Sequence, residues 1–400
     1  MSRVSDAIAR ASAVAQARRP TRSHPDGWEP GVRWDEATRT GGITISTNKP
    51  SPQWDALLAE WGFDPALFEV ADDTIQFRTW DANIGEGNVQ RFYYYKAQIR
   101  AKRPEVDSDL AALVDEVRKR KPRPVAAIQG DRSLVVALSD WQIGREGTEE
   151  ATQRILRLID EVPALWREYV KQGIPLTDIV ILGLGDLIEG CSGWYPAQAF
   201  TIEFNAREQR TLARRLLVKV IEAALTVAPT VRVVVVGGNH GENRNSEGKP
   251  YTDSSDNGDV EIAEQAAEVF AANESLRDRV AFVVPRDELA ITIDVHGTIV
   301  GLTHGHLGRS GGNSTAKVES WWKGQALGMK PIADATLLVT AHYHHLALMT
   351  HGPRTHIQAP AMCGRSAWFD DVTGVGDSPA GTLTLVVGGG QWDRLRLIAG

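Results

Sequence analysis

Cysteine is scarce in this 400-residue chain: Cys191 and Cys363 are the only two. Two thiols cannot build a disulfide framework or a four-cysteine zinc site, and a reducing compartment is expected. Methionine is also rare, with four in all, and no apolar run approaches the roughly 20 residues that span a bilayer. The first twenty residues mix Asp6 with four arginines around no apolar core, which argues against a cleaved secretion signal. A soluble, cytoplasmic protein with no membrane partner is expected. Histidine is nearly missing from the first half: nine of the ten fall between His240 and His356. Whatever the imidazoles do, they do it late in the chain.

What is present is ordinary in amount and uneven in arrangement. Hydrophobic residues make up 42% and charged residues 24%, the balance of a globular protein. Four hundred residues favour two domains. Residues 1–130 hold 19 basic and 18 acidic side chains, leaving 25 basic and 33 acidic for the rest, a net −8. Such an acidic domain cannot hold a phosphate backbone by bulk charge, so any phosphate chemistry needs local cations.

The amino-terminal part reads as a small α+β domain over 1–101. An Ala/Arg-rich helix is expected over 1–19, a hairpin over 34–47 turning at Gly41-Gly42, a helix around Trp54–Trp61 stopped by Gly62, and a strand pair IQFRTW and RFYYYKAQI. Five of the twelve tryptophans lie in the first hundred residues, enough for an independent core. Residues 102–132 read as a helix and a basic linker ending in RKRKPRP. Arg91–Lys96, with its phenylalanine and three tyrosines between two cations, suits stacking on bases, although a half-buried strand before a solvated linker is the favoured reading.

From Ser133 to the end, Val/Ile/Leu runs of strand length alternate with helices expected over 147–172, 203–228 and 259–275, the first kinked at Pro163. ELAITIDVHGTIVGL reads as a hairpin turning at His296-Gly297. This is an α/β domain over 133–400. Five polar clusters each follow a strand: Asp140 and Gln142; Asp186 and Glu189; Asn239 and His240; His304 and His306; His342 and His344. Strand ends are where an α/β scaffold displays functional groups. Carboxylate, amide oxygen and imidazole without thiolate form a hard-to-borderline donor set that suits manganese, magnesium, iron or zinc.

In order and spacing, these five clusters resemble the motifs of the calcineurin-like metallophosphoesterases. The resemblance covers roughly 133–390 and implies a four-layer α-β-β-α sandwich, two mixed sheets flanked by helices. It further implies two divalent ions, the first on Asp140, Gln142, Asp186 and His344, the second on Asp186, Asn239, His304 and His342. Manganese is expected first, with magnesium, iron or zinc as alternatives; the amide at Gln142, where many members carry histidine, favours the harder ions. Hydrolysis would use a hydroxide shared by the ions, with His240 as proton donor, Glu189 orienting it and His306 touching the scissile phosphate. His345, His351 and His356 read as surface or packing residues, and both cysteines as ordinary buried thiols. The chain is similar to phage-encoded DNA exo- or endonuclease-like members, and distantly to SbcD-type repair nucleases, whose carboxy-terminal capping domain is not expected here. DNA is therefore the expected substrate and the host cytoplasm the expected setting for a phage protein, with a homodimer left open. The alternatives are a small-molecule phosphatase or cyclic-nucleotide phosphodiesterase, and a non-catalytic nucleic-acid-binding protein with a vestigial site.

Overall fold

The computed structural model describes residues 27–399, apart from 36–39, 51, 84–87, 103–109, 123–124, 126–128, 193–194, 196–197, 246, 254, 286–287, 309–311 and 364–377. The helix expected over 1–19 lies outside the described residues. The chain divides into two compact units, Met1–Glu105 and Val106–Gly400.

In the first unit, β1 (Gly31–Asp35), β2 (Thr40–Thr47), β3 (Phe68–Asn83) and β4 (Val89–Ala101) form an antiparallel sheet in the order β1-β2-β4-β3, and α1 (Trp54–Glu60) packs on it. Ile43, Ile45, Leu58, Phe63, Phe68 and Ile99 make its core. The helix ends at Gly62, whose φ of 88° suits a residue without a Cβ. The expected Gly41-Gly42 turn is a correction: both glycines sit inside β2, opposite Trp34 and Arg33. A Cβ on Gly41 would meet the Arg33 carbonyl oxygen at 2.4 Å, so the glycine serves close strand approach.

The second unit opens with α2 (Leu110–Arg118). This helix is more than a linker, because Val117 is fully buried and its carbonyl accepts from Asn273 Nδ2 at 2.6 Å. A six-stranded mixed sheet follows. Its parallel strands are β5 (Arg132–Leu138), β6 (Leu176–Gly183), β7 (Val231–Val235) and β8 (Val280–Val283). The helices between them are α3 (Thr148–Lys171), the one-turn α4 (Gln198–Thr201), α5 (Ala206–Leu225) and α6 (Gly258–Ala271). α3 runs through Pro163 as one element.

A second, five-stranded mixed sheet contains β9 (Ala290–Val295), β10 (Thr298–Thr303), β11 (Leu337–Thr340), β12 (Ala347–His351) and β13 (Arg354–Gln358), with α7 (Ser314–Leu327) inserted after β10. The β9–β10 hairpin turns at His296 and Gly297, both left-handed. β14 (Gly381–Gly388) and β15 (Gln391–Ala399) return antiparallel to close the first sheet beside β5.

Strand alternation sorts the core. Val135, Ala137, Val180, Leu182 and Val234 of the first sheet pack with Val295, Val300, Leu302, Leu337 and Val339 of the second. Their neighbours Leu134, Val136, Ile179, Ile181 and Val233 face the other way, onto α3, α5 and α6. The outer side of the second sheet packs on Val318 and Trp322 of α7. Burial on both faces explains why these strands read as continuous apolar runs. No helix among the described residues is long and apolar enough to cross a membrane.

Candidate metal centre

All five polar clusters leave the carboxyl ends of parallel strands: Asp140 and Gln142 after β5, Asp186 and Glu189 after β6, Asn239 and His240 after β7, His304 and His306 after β10, His342 and His344 after β11. The backbone there is unusual. Of the eight non-glycine residues with positive φ among those described, five are Asp140, Gln142, Asp186, His342 and His344. Left-handed backbone costs a side-chain-bearing residue on the order of 1 kcal/mol and persists where surrounding structure enforces it. Here it turns each chain sharply out of its strand. Gly185 and Gly238 allow the β6 and β7 loops to touch: a Cβ on Gly238 would stand 2.0 Å from Asp186 Oδ1.

A buried carboxylate absent from the sequence expectations locks these loops. Asp259, in the first turn of α6, accepts from the backbone N–H groups of Asp186 at 2.8 Å, Leu187 at 2.9 Å and Gly238 at 2.9 Å. Burial, then the neighbouring Asp186 charge, pushes its pKa up to about 6 against the Gly238 and Asp186 donors. In the sequence, Asp259 reads only as a helix-start acid after its Asn257 cap.

At the centre, acceptors face one another. His304 Nδ1 lies 2.7 Å from the Leu184 carbonyl, which can only accept, so Nδ1 carries the proton and Nε2 offers its lone pair inward. Around Nε2 stand Asp186 Oδ2 at 2.9 Å and Asn239 Oδ1 at 3.0 Å. Asp186, His304 and His342 present ligand atoms that all lie within 4.8 Å of one another. Lone pairs converging this closely in a buried site need a proton or a cation among them. Without a cation a proton takes that place: burial opposes the charged forms, yet the mutual attraction of Asp186 and His304 wins, holding the carboxyl far below its usual range and pushing the imidazole to about 9, so Nε2 then carries the proton that a metal ion would displace. Burial, then the His304 charge, moves His342 well below its ordinary value. The residues fit a divalent ion.

The neighbouring half is looser. Asp140 Oδ1 is fully buried without a hydrogen bond and faces His344 Nε2 at 3.3 Å, while Oδ2 accepts from the His342 backbone N–H at 3.2 Å. His344 Nδ1 faces Cys363 Sγ at 3.9 Å. Burial opposes its charge, but Cys363 and Asp140 raise the His344 pKa well above its ordinary value. Gln142 departs from the arrangement expected of a ligand. Its Oε1 receives Arg145 Nη1 at 2.6 Å and Cys363 Sγ at 3.1 Å, so its Nε2 is the end facing the site, 3.3 Å from His240 Nε2.

His240 sits beside the cluster. Its Nδ1 is held by the Glu189 carbonyl at 3.1 Å and by Glu189 Oε1 at 3.4 Å, and its backbone N–H donates to Asp186 Oδ1 at 2.8 Å. Burial works against charge on this ring, but Asp186 and Glu189 raise its pKa to about 9. It therefore takes a second proton at neutral pH wherever Gln142 gives up Nε2. Glu189 is itself buried, and Gln198 Nε2 donates to its Oε1 at 3.2 Å. The His306 ring lies 5.4 Å from that of His304 and 6.2 Å from that of His342.

Of the remaining residues considered, His356 is buried on β13 beside Thr340 Oγ1 at 2.8 Å, and burial pushes it to about 4, a neutral packing residue. Cys363 is buried, whereas Cys191 is exposed, which corrects the expectation for that thiol. Arg244, four residues after His240, pairs through Nε with Glu242, and its Nη1 reaches the Tyr195 hydroxyl at 3.4 Å.

No family model matches this sequence. No curated protein matches it either. Among solved structures, it is similar to vacuolar protein sorting 29 from Cryptosporidium parvum at 12% identity, over 68% of this chain and all of that one, with a TM-score of 0.32. An archaeal phosphodiesterase covers 66% of this chain and 99% of its own at 8% identity and a TM-score of 0.30. A predicted phosphoesterase from Streptococcus pneumoniae covers 64% and 83% at 11% identity and a TM-score of 0.27. What the site can do follows from its own residues.

Proposed function

We propose that this chain is a metal-dependent phosphoesterase built on the metallophosphoesterase sandwich, and that it hydrolyses phosphodiester bonds in DNA. One observation carries the reading: Asp186 Oδ2 and Asn239 Oδ1 both stand within 3.0 Å of His304 Nε2, with His342 alongside. Asp186, Asn239, His304 and His342 would hold one divalent ion, and Asp140, His344 and the shared Asp186 the other. The geometry favours Gln142 as a neighbour of His240 over Gln142 as a ligand. Manganese remains the ion proposed for this mixed set of carboxylate, amide and imidazole donors. Bound ions would withdraw charge from the phosphate and make water a nucleophile at neutral pH.

The chain's own residues supply the rest. His240, fixed through Nδ1 by Glu189, would hand a proton to the departing oxygen. His306, whose ring neighbours those of His304 and His342, would meet a phosphate oxygen. DNA is favoured over a small ester by the first unit, where Phe77 and Trp80 are exposed on a sheet and Arg78 lies over the Trp80 ring at 5.9 Å. Aromatic faces with a cation are the chemistry of base stacking.

Manganese-loaded protein should cleave labelled single- or double-stranded DNA as well as a chromogenic phosphodiester. Cleavage of the small ester alone would replace the nuclease reading with the small-molecule one. Cleavage of neither, with DNA still bound, would leave a binding protein.

A further inference from the structure

An asparagine amide can turn either end inward, and only the oxygen end can ligate a cation. Asn239 Oδ1 faces His304, and its outer end is met by a residue that belongs to none of the five clusters. Tyr195 Oη accepts from Asn239 Nδ2 at 2.9 Å. That phenol is itself fixed by groups other than Asn239. Its ring stacks on His240, with centroids 4.8 Å apart and planes 18° from parallel. Its hydroxyl also faces Arg244 Nη1 at 3.4 Å, and Arg244 is anchored in turn by Glu242.

We propose that Tyr195 is the positioning residue for Asn239: it takes the amide N–H outward and so holds Oδ1 toward His304 and Asp186, ready for a divalent cation. The proposal rests on reading the site as a metal centre. Outer partners that orient a ligand typically change metal affinity by about 10–100-fold when removed. The stack on His240 gives the same tyrosine a place between ligand and acid, and Arg244 ties the 243–257 loop to both.

The test is calorimetric titration of the chelator-stripped, full-length protein with Mn2+. Tyr195→Phe keeps the ring and its stack but loses the hydroxyl. It should weaken one of the two binding steps by about tenfold, and lost phosphodiesterase activity should return as Mn2+ is raised. Asn239→Ala should weaken the same step further. The double variant should then bind no more weakly than Asn239→Ala alone, because Tyr195 acts through that amide. Unchanged Mn2+ affinity in Tyr195→Phe, or losses that simply add in the double variant, would overturn the role of Tyr195 and leave the metal reading standing. A wild-type protein that binds no Mn2+ would overturn both, and it would do so before any variant is compared.

Discussion

The two halves of the polar site are built from similar residues and reach different states. Around Asp186, lone pairs from a carboxylate, an amide and an imidazole converge within about 3 Å, each held from behind by a backbone or hydroxyl group. Around Asp140, the amide has turned its oxygen to Arg145 and Cys363, and the imidazole is backed by a thiol at 3.9 Å. Preorganisation differs more than composition does. A ligand set whose outer partners are in place loses little order on binding a cation, whereas the Asp140 half must still settle its geometry. The Asp186 half should fill first and empty last.

Experiments can break or sharpen that contrast. The largest effect is expected for Asp186→Ala, which removes the anion proposed to serve both ions: metal content should fall to background at both halves, and activity with it. Retention of one ion by elemental analysis would show that the halves share no ligand. His240→Ala should slow turnover by about 10²–10⁴-fold with both metals kept, the usual scale for a positioned proton donor. If metal is lost instead, His240 belongs to the ligand set. Asp259→Asn turns an amide N–H toward backbone donors that now meet a carboxylate, and should destabilise the fold by about 3 kcal/mol in chemical denaturation. It should also loosen the Asp186 half, since Asp186 and Gly238 lose their common anchor. An unchanged denaturation midpoint would show that these loops are held by something else.

The smallest effect separates the halves most finely. Gln142→Ala should leave metal affinity within about threefold while slowing turnover about tenfold through His240, the lower end of what an orienting neighbour contributes. A large loss of metal would return Gln142 to the ligand set, and Gln142→His would then be expected to tighten that half and shift it toward zinc.

Much of this site could be read from the sequence because its chemistry is local to five strand ends. Asp140, Asp186, Asn239, His304, His342 and His344 each follow a Val/Ile/Leu run within a few residues, so a one-dimensional pattern carries them to one edge of the sheets. Asp259 and Tyr195 could not be found that way. Asp259 acts on Asp186 from 73 positions further along, and Tyr195 acts on Asn239 from 44 positions before it, through contacts that exist only once the loops meet. Gln142 was readable as a residue of the site but not as one whose oxygen is drawn away, because Arg145 and Cys363 decide its orientation. The Gly41-Gly42 pair misled because glycine marks both turns and close strand contacts. The basic run 118–124 hid the apolar face by which α2 joins the second unit.

The left-handed backbone at Asp140, Gln142, Asp186, His342 and His344 sets the site against the fold in a selection experiment. Glycine accepts such a conformation with the least strain, so His342→Gly, which strips no buried charge of its partner, would relieve strain of on the order of 1 kcal/mol. A library sorted only for heat resistance in a chelating buffer should therefore drift toward glycine at these positions, yielding sturdier and catalytically silent descendants. On the proposed metal reading, growth in manganese would reverse that drift, because a bound cation would stabilise residues that the bare protein is better without.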